Sequence, residues 1–285
     1  NLAMAIVGID TLLYGVQDLE KASQFLDDFG LQRLSSSVEE TIYRLAEGST
    51  VIVRSIDHAS MPDDSAYTGF GVKETIWGVD TEDNLQRLVD DLKQDREVTL
   101  GDDGAWRFYS DCGLPLALRV FDRQKVIYST DPINSSGNIN RLNQHRKWRR
   151  RAIPKTINHV VFAVKDYWKT FAFFRDRLNF RMSDHQKGIG TYLRADGAHE
   201  HHNTFLLNCE VPGAGGIPRF HHTCFGVEDF DEVMIGSNHM TKRGWTHGFL
   251  GIGRHRIGSA IFCYFDSPVG GETEYGADTD YLDDN

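Results

Sequence analysis

No stretch of about 18 consecutive apolar residues occurs in this 285-residue chain, so nothing in it reads as a transmembrane helix and no membrane partner is expected. Positive charge is also short. The 31 Lys and Arg against 41 Asp and Glu leave a formal net charge of −10, which argues against a nucleic-acid partner, because phosphate binding needs clustered Lys and Arg. One basic cluster exists, Arg146-Lys147-Trp148-Arg149-Arg150-Arg151. It lies between patterned segments and reads as a solvated linker that pairs with the acidic surface. Cysteine is scarce: Cys112, Cys209, Cys224 and Cys263 form no CxxC pair, and three of them lie in apolar strand-like runs, as small buried side chains do. Without a disulfide framework the expected compartment is a reducing cytoplasm. The opening residues Asn1-Leu2-Ala3-Met4-Ala5 lack the basic-then-apolar layout of a signal peptide.

What the chain does have is an ordinary globular composition, 40% hydrophobic and 25% charged, and an internal repeat. Ile9-Asp10-Thr11-Leu12-Leu13-Tyr14 lines up with Ile157-Asn158-His159-Val160-Val161-Phe162 at an offset of 148 residues. Thr75-Ile76-Trp77-Gly78-Val79 meets Thr223-Cys224-Phe225-Gly226-Val227 at the same offset. Two blocks that keep one offset over such a span point to a duplicated domain.

Each half reads in turn as two smaller units. A strand over Ala5 to Tyr14 leads into an amphipathic helix over Leu19 to Phe29, then strands over Thr41 to Leu45 and Thr50 to Arg54. The pattern restarts with a strand over Glu74 to Val79, a helix over Glu82 to Asp95, and strands around Trp106 to Tyr109 and Pro115 to Phe121. The second half repeats it, with helices over Tyr167 to Leu178 and Glu228 to Arg243. The expected fold is α+β: four βαβββ modules paired into two similar domains, each a curled, partly open sheet barrel with outer helices. The boundaries are 1–121 for an N-terminal domain without a metal site, 122–155 for a linker punctuated by Pro132 and Pro154, and 156–285 for a metal-binding catalytic domain. Sheets curled in this way enclose a cup into which side chains from distant strands converge.

Three residues of the second half suit such a cup. His159 lies in its first strand, His222 in the restart strand and Glu274 in the last, where the first half offers Thr11, Glu74 and roughly Arg119. Taken alone, a His in an apolar strand is more often a hydrogen-bonded core residue than a ligand. Two imidazoles and one carboxylate at matching inward positions are different, since burying them together without a cation is costly. That set, with coordination positions left open, is the ligand set of non-haem Fe(II) oxygenases.

Asn158-His159-Val160-Val161-Phe162, His222-Thr223-Cys224-Phe225, Gly251-Ile252-Gly253-Arg254-His255 and Tyr264 through Glu274-Tyr275-Gly276, in this order and spacing, resemble the two-domain type I extradiol dioxygenases of the vicinal oxygen chelate superfamily. The likeness covers nearly the whole chain in architecture and Ile157 to Gly276 in motifs. It implies iron ligands at His159, His222 and Glu274. It implies an acid/base at His202, with His201 the alternative in the His199-Glu200-His201-His202 run. It further implies a Tyr264 that hydrogen-bonds a substrate oxygen and a His255 close to the substrate. The activity implied is Fe(II)-dependent ring cleavage of a catecholic (vicinal dihydroxy aromatic) substrate with O2. Both oxygen atoms would enter a ring-opened semialdehyde or keto acid. Mn(II) has overlapping ligand preferences, and many such enzymes are homo-oligomers. The same fold also carries glyoxalase-like isomerases using Zn or Ni, 4-hydroxyphenylpyruvate-type dioxygenases with a C-terminal gating helix, and metal-free binding proteins. Trp168, Phe180, Tyr192 and Phe249 are aromatics that could meet a ring, although aromatics in strands and helices are more often core.

Overall fold

The structure is a computed structural model, and it describes residues 5–63 and 66–285. The opening residues 1–4, read above for a signal peptide, lie outside the described residues. In the first half β1 (Ile6–Val16), α1 (Leu19–Phe29), β2 (Arg33–Ser36), β3 (Glu40–Arg44) and β4 (Thr50–Ser55) form one module. β5 (Gly71–Val79), α2 (Glu82–Leu92), β6 (Thr99–Leu100), β7 (Trp106–Tyr109) and β8 (Pro115–Val120) form the next. The second half has β9 (Thr156–Val164), α3 (Tyr167–Leu178), β10 (Arg181–Gln186), β11 (Gly190–Arg194) and β12 (Thr204–Asn208). It ends with β13 (Arg219–Gly226), α4 (Phe230–Lys242), β14 (His247–Arg254), β15 (Ile261–Asp266) and β16 (Glu272–Ala277). These are the four expected βαβββ modules.

The helices start where sequence chemistry puts them. Asp18, Asp166 and Asp229 each cap a helix by accepting from the backbone N–H three residues on, and Thr81 does the same for α2. Helix α1 stops at Gly30, whose φ of 107° is the left-handed region that glycine tolerates best. A Cβ there would also run into the Ala152 carbonyl.

Each pair of modules builds one eight-stranded mixed sheet, β2-β3-β4-β1-β5-β8-β7-β6 and β10-β11-β12-β9-β13-β16-β15-β14. Among the described residues neither sheet closes. The modules join where the first strand of one runs antiparallel to the first strand of the next, β1 with β5 and β9 with β13. Within each module the first and last strands are parallel.

One hydrophobic core serves both halves. Phe29 of α1 stacks on Tyr275 of β16 with ring centroids 3.8 Å apart, and Trp77 of β5 meets Phe174 and Phe180 edge-on. Tyr14 donates from its hydroxyl to Thr223 Oγ1 across the halves at 2.7 Å. Polar clamps reinforce the apolar contact. Asp196 accepts from the backbone of Ala5 and Ile6. Arg123 pairs with Glu47 on one side and Glu200 on the other, while Glu47 also accepts from the Ile157 N–H.

Residues 122–155 hold no helix or named strand. Their basic cluster pairs with acidic side chains, as the sequence suggested. Arg146 pairs with Asp231, Lys147 with Glu228 and Arg149 with Glu228, all near the start of α4, which fastens the segment to the second half.

Candidate metal centre

Sheet register accounts for the convergence of the site. His159 lies opposite Cys224, Cys224 opposite Glu274, and Glu274 opposite Tyr264, one row across β9, β13, β16 and β15. His222 lies two residues before Cys224 on the same strand and shares its face. A register shift between Phe220 and His222 makes His221 the irregular residue of β13 and re-aims the side chains after it.

The three suspected ligands are buried, and their ligating atoms all lie within 4.8 Å of one another. Glu274 is 0% exposed. His159 Nε2 is 3.3 Å from Glu274 Oε2 and His222 Nε2 is 3.4 Å from the same oxygen, yet both carboxylate oxygens lack a hydrogen-bond partner. The nitrogens and the oxygen are therefore near one another without being aimed at one another. That is the arrangement expected of ligands sharing one cation, since a buried unpaired carboxylate is otherwise expensive. The donor set, two imidazole nitrogens and one carboxylate, suits a divalent transition metal with positions left for other ligands.

The three remaining suspected residues adjoin this group. The His202 ring lies over His159 with centroids 4.1 Å apart. Tyr264 is buried beside His222, with centroids 5.2 Å apart. His255 Nε2 is 3.1 Å from the Tyr264 hydroxyl and 3.5 Å from Glu274 Oε1, its ring stacked on Phe262. Burial pushes the Glu274 carboxyl up, but the surrounding imidazoles outweigh it and hold the group well below the usual carboxylate range. Burial, reinforced by the neighbouring imidazoles of His159 and His201, keeps His202 neutral well below the ordinary histidine value, and burial does the same for His222. Burial and the Glu274 charge hold the Tyr264 hydroxyl protonated. Cys224, directly between His159 and Glu274, is likewise pushed up by burial and by Glu274, so it stays an unreactive thiol.

One expectation changes. The first-half counterpart of Glu274 is Ala117, not Arg119, because Thr75 pairs with Leu116 and Ile76 with Ala117 where Thr223 pairs with Thr273 and Cys224 with Glu274. Ala117 packs with Ile76 and Ala105 in a small apolar cluster. Glu74, the counterpart of His222, is paired with Arg107, and Asp10 with Arg119. Ion pairs and apolar packing occupy the positions that correspond to the candidate metal site of the second half. Of the four aromatics, only Tyr192 adjoins the group, 5.0 Å from His202 by ring centroids and stacked on Phe205. Phe180 is core, and Phe249 points to solvent. Trp168 is half exposed and packs against His185.

Sequence reasoning gave no role to His221 and named His201 only as the alternative to His202. His221 Nδ1 is 2.7 Å from His222 Nδ1, and His201 Nδ1 is 3.0 Å from His202 Nδ1. The doublets in the sequence were the available signal.

Comparison with known proteins agrees with this geometry. The sequence model of the Glyoxalase/Bleomycin resistance protein/Dioxygenase superfamily matches residues 156–267. Metapyrocatechase 2 of Cupriavidus necator is 28% identical over 295 aligned positions, covering 98% of this chain and 83% of that protein. Residues 156–267 are thus similar to this superfamily, and nearly the whole chain is similar to a metapyrocatechase. Solved structures share the fold across almost the whole chain. The 2,3-dioxygenase LapB from Pseudomonas sp. KL28 superposes with a TM-score of 0.73 at 16% identity, over 98% of this chain and 94% of that one. A Mn(II)-bound glyoxalase from Novosphingobium aromaticivorans superposes with a TM-score of 0.74 at 20% identity, over 98% and 85%.

Proposed function

We propose that the chain is an Fe(II)-dependent extradiol dioxygenase that opens the ring of a catecholic substrate with O2, both oxygen atoms entering a semialdehyde or keto-acid product. The carrying observation is the buried Glu274 carboxylate, without a hydrogen-bond partner, facing His159 and His222. Those three residues would hold the iron, Mn(II) being the alternative. A divalent ion there supplies Lewis acidity and open positions at which both reactants meet.

The chain's own groups do the rest. Tyr264 keeps its hydroxyl proton and donates to a substrate oxygen, with His255 Nε2 beside it to accept or return a proton. His202, neutral and lying over His159, is the acid/base on the other side. The Tyr192 and Phe205 rings, with Val161, Ala163 and Leu207, form an apolar wall beside the site. In this reading residues 156–285 are the catalytic domain, 122–155 the linker and 1–121 a structural partner domain. The expected working form is a cytoplasmic homo-oligomer. Exposed apolar side chains such as Ile127, Ile139 and Trp148 in the linking segment are consistent with assembly.

The test is metal analysis of anaerobically purified protein together with oxygen uptake against a panel of substituted catechols. About one iron per chain and a yellow product are expected, with Glu274→Ala or His159→Ala losing both metal and turnover. Bound zinc or nickel without oxygen uptake would instead mark an isomerase of the same fold.

A further inference from the structure

We propose that His201 and Asp184 are positioning residues that fix the tautomer and orientation of His202; this rests on the acid/base role given to His202 above. His201 looks like a mere neighbour in sequence, but its two ring nitrogens face different partners. Nδ1 lies 3.0 Å from His202 Nδ1. Nε2 lies 3.7 Å from Asp184 Oδ2 in β10. The ring is held in place from several sides. It is buried, its backbone N–H donates to the Asp280 carbonyl, Tyr192 lies 5.9 Å away edge-on, and Gly258 abuts it so closely that a Cβ there would come within 3.1 Å.

Two facing Nδ1 atoms can share only one hydrogen, so one ring donates and the other accepts. The Asp184 carboxylate decides which. Its charge favours the hydrogen of neutral His201 on Nε2, which leaves His201 Nδ1 as the acceptor. His202 must then carry its hydrogen on Nδ1 and donate it. Its Nε2, on the ring edge away from His201, keeps a free lone pair, which is the form a proton acceptor requires. Asp184 is itself well exposed, 42% at the side chain, so the chain of contacts runs from the surface to the ring that lies over His159. The arrangement depends on register. Asp184 pairs with Tyr192 and Tyr192 with Phe205, one row on the face that carries the site. A carboxylate one residue to either side on β10 would point to the opposite face.

The deciding experiment is two-bond 15N–1H correlation spectroscopy of histidine in the zinc-substituted protein, with the His202 signals assigned by their loss in His202→Gln. Wild type is expected to show His202 as the Nδ1–H tautomer. Asp184→Ala and His201→Leu should shift it toward Nε2–H, and Asp184→Glu should restore it. In the iron form the first two variants should lower kcat about 10- to 100-fold, with KM and metal content within about twofold of wild type. A His202 found as the Nε2–H tautomer in wild type, or unchanged in both variants, overturns the proposal. The tautomer is read without turnover, so an inactive wild type would sink the proposed activity and leave this inference still decided by the spectrum. Asp184 is exposed, so its alanine variant should fold even where His201→Leu does not.

Discussion

At the scale of single residues, His201, His202, His221 and His222 of the second half lie where burial favours their neutral forms. Burial holds His201, His202 and His222 below the ordinary histidine value, and burial together with Arg219 pushes His221 down to about 4. In the unfolded chain these groups protonate near pH 6.5. Below that pH the unfolded state binds protons that the folded state refuses, so stability must fall as the pH drops. The loss begins near the unfolded value and continues toward the folded one, about 4 for His221. Glu274, held low in the fold, adds a loss in the same direction at more acid pH. The expected outcome is a urea midpoint of chelator-treated protein that drops steadily from pH 7 to pH 4.5. A midpoint flat over that range would mean that these histidines titrate in the fold as they do in the unfolded chain. Metal should steepen the dependence, because the ligands must lose their protons to bind it.

Among the elements, the clearest regularity concerns the strands that pattern reading did not find. β2, β6, β10 and β14 are the outer strands of the two sheets, and none of their residues is fully buried. An edge strand has one neighbour and little to bury, so it lacks the alternation that marks an inner strand. The helices over Leu19–Phe29 and Tyr167–Leu178 were legible to the residue, because an aspartate cap and an apolar stripe are both local signals. Contacts between elements of different halves are not local, and Arg123 shows their weight. It pairs with Glu47 and Glu200, both buried, and Glu200 lies two residues before His202. Arg123→Met would leave two buried carboxylates without a cation, at a cost of about 3–5 kcal/mol. Urea unfolding should read that loss, and the triple variant Glu47→Gln, Arg123→Met, Glu200→Gln should recover a large part of it. Equal stability of Arg123→Met and wild type would show that water already compensates these carboxylates.

For the whole molecule, duplication and division are different things. The sequence repeats and the two sheets repeat, but the core does not divide, since Phe29 stacks on Tyr275 and Trp77 packs on Phe174 and Phe180. Cutting between the halves would expose these rings to water. Residues 156–285 produced alone are therefore expected to give no cooperative thermal transition and to bind a hydrophobic dye, whereas the full chain should unfold in one step. A sharp transition in the isolated half would show that it folds on its own and that the shared aromatic contacts are dispensable.

The sequence by itself determined the four-module architecture and singled out His159, His222 and Glu274, which the fold brings together. A repeat offset and a change of residue type at matched positions survive without coordinates, as Thr11 against His159 and Glu74 against His222 illustrate. It misplaced the partner of Glu274 because the offset grows to 157 residues between Ala117 and Glu274, and a linear alignment cannot see which strands the extra residues lengthen. Only the tertiary structure decided that Asp184, His201 and His202 form one chain of contacts and that Arg123 ties the first half to the loop carrying the two histidines. Such pairings are set by sheet register and by packing across the halves. Their energies depend on distances of a few ångströms between residues remote in sequence, which composition and periodicity do not encode.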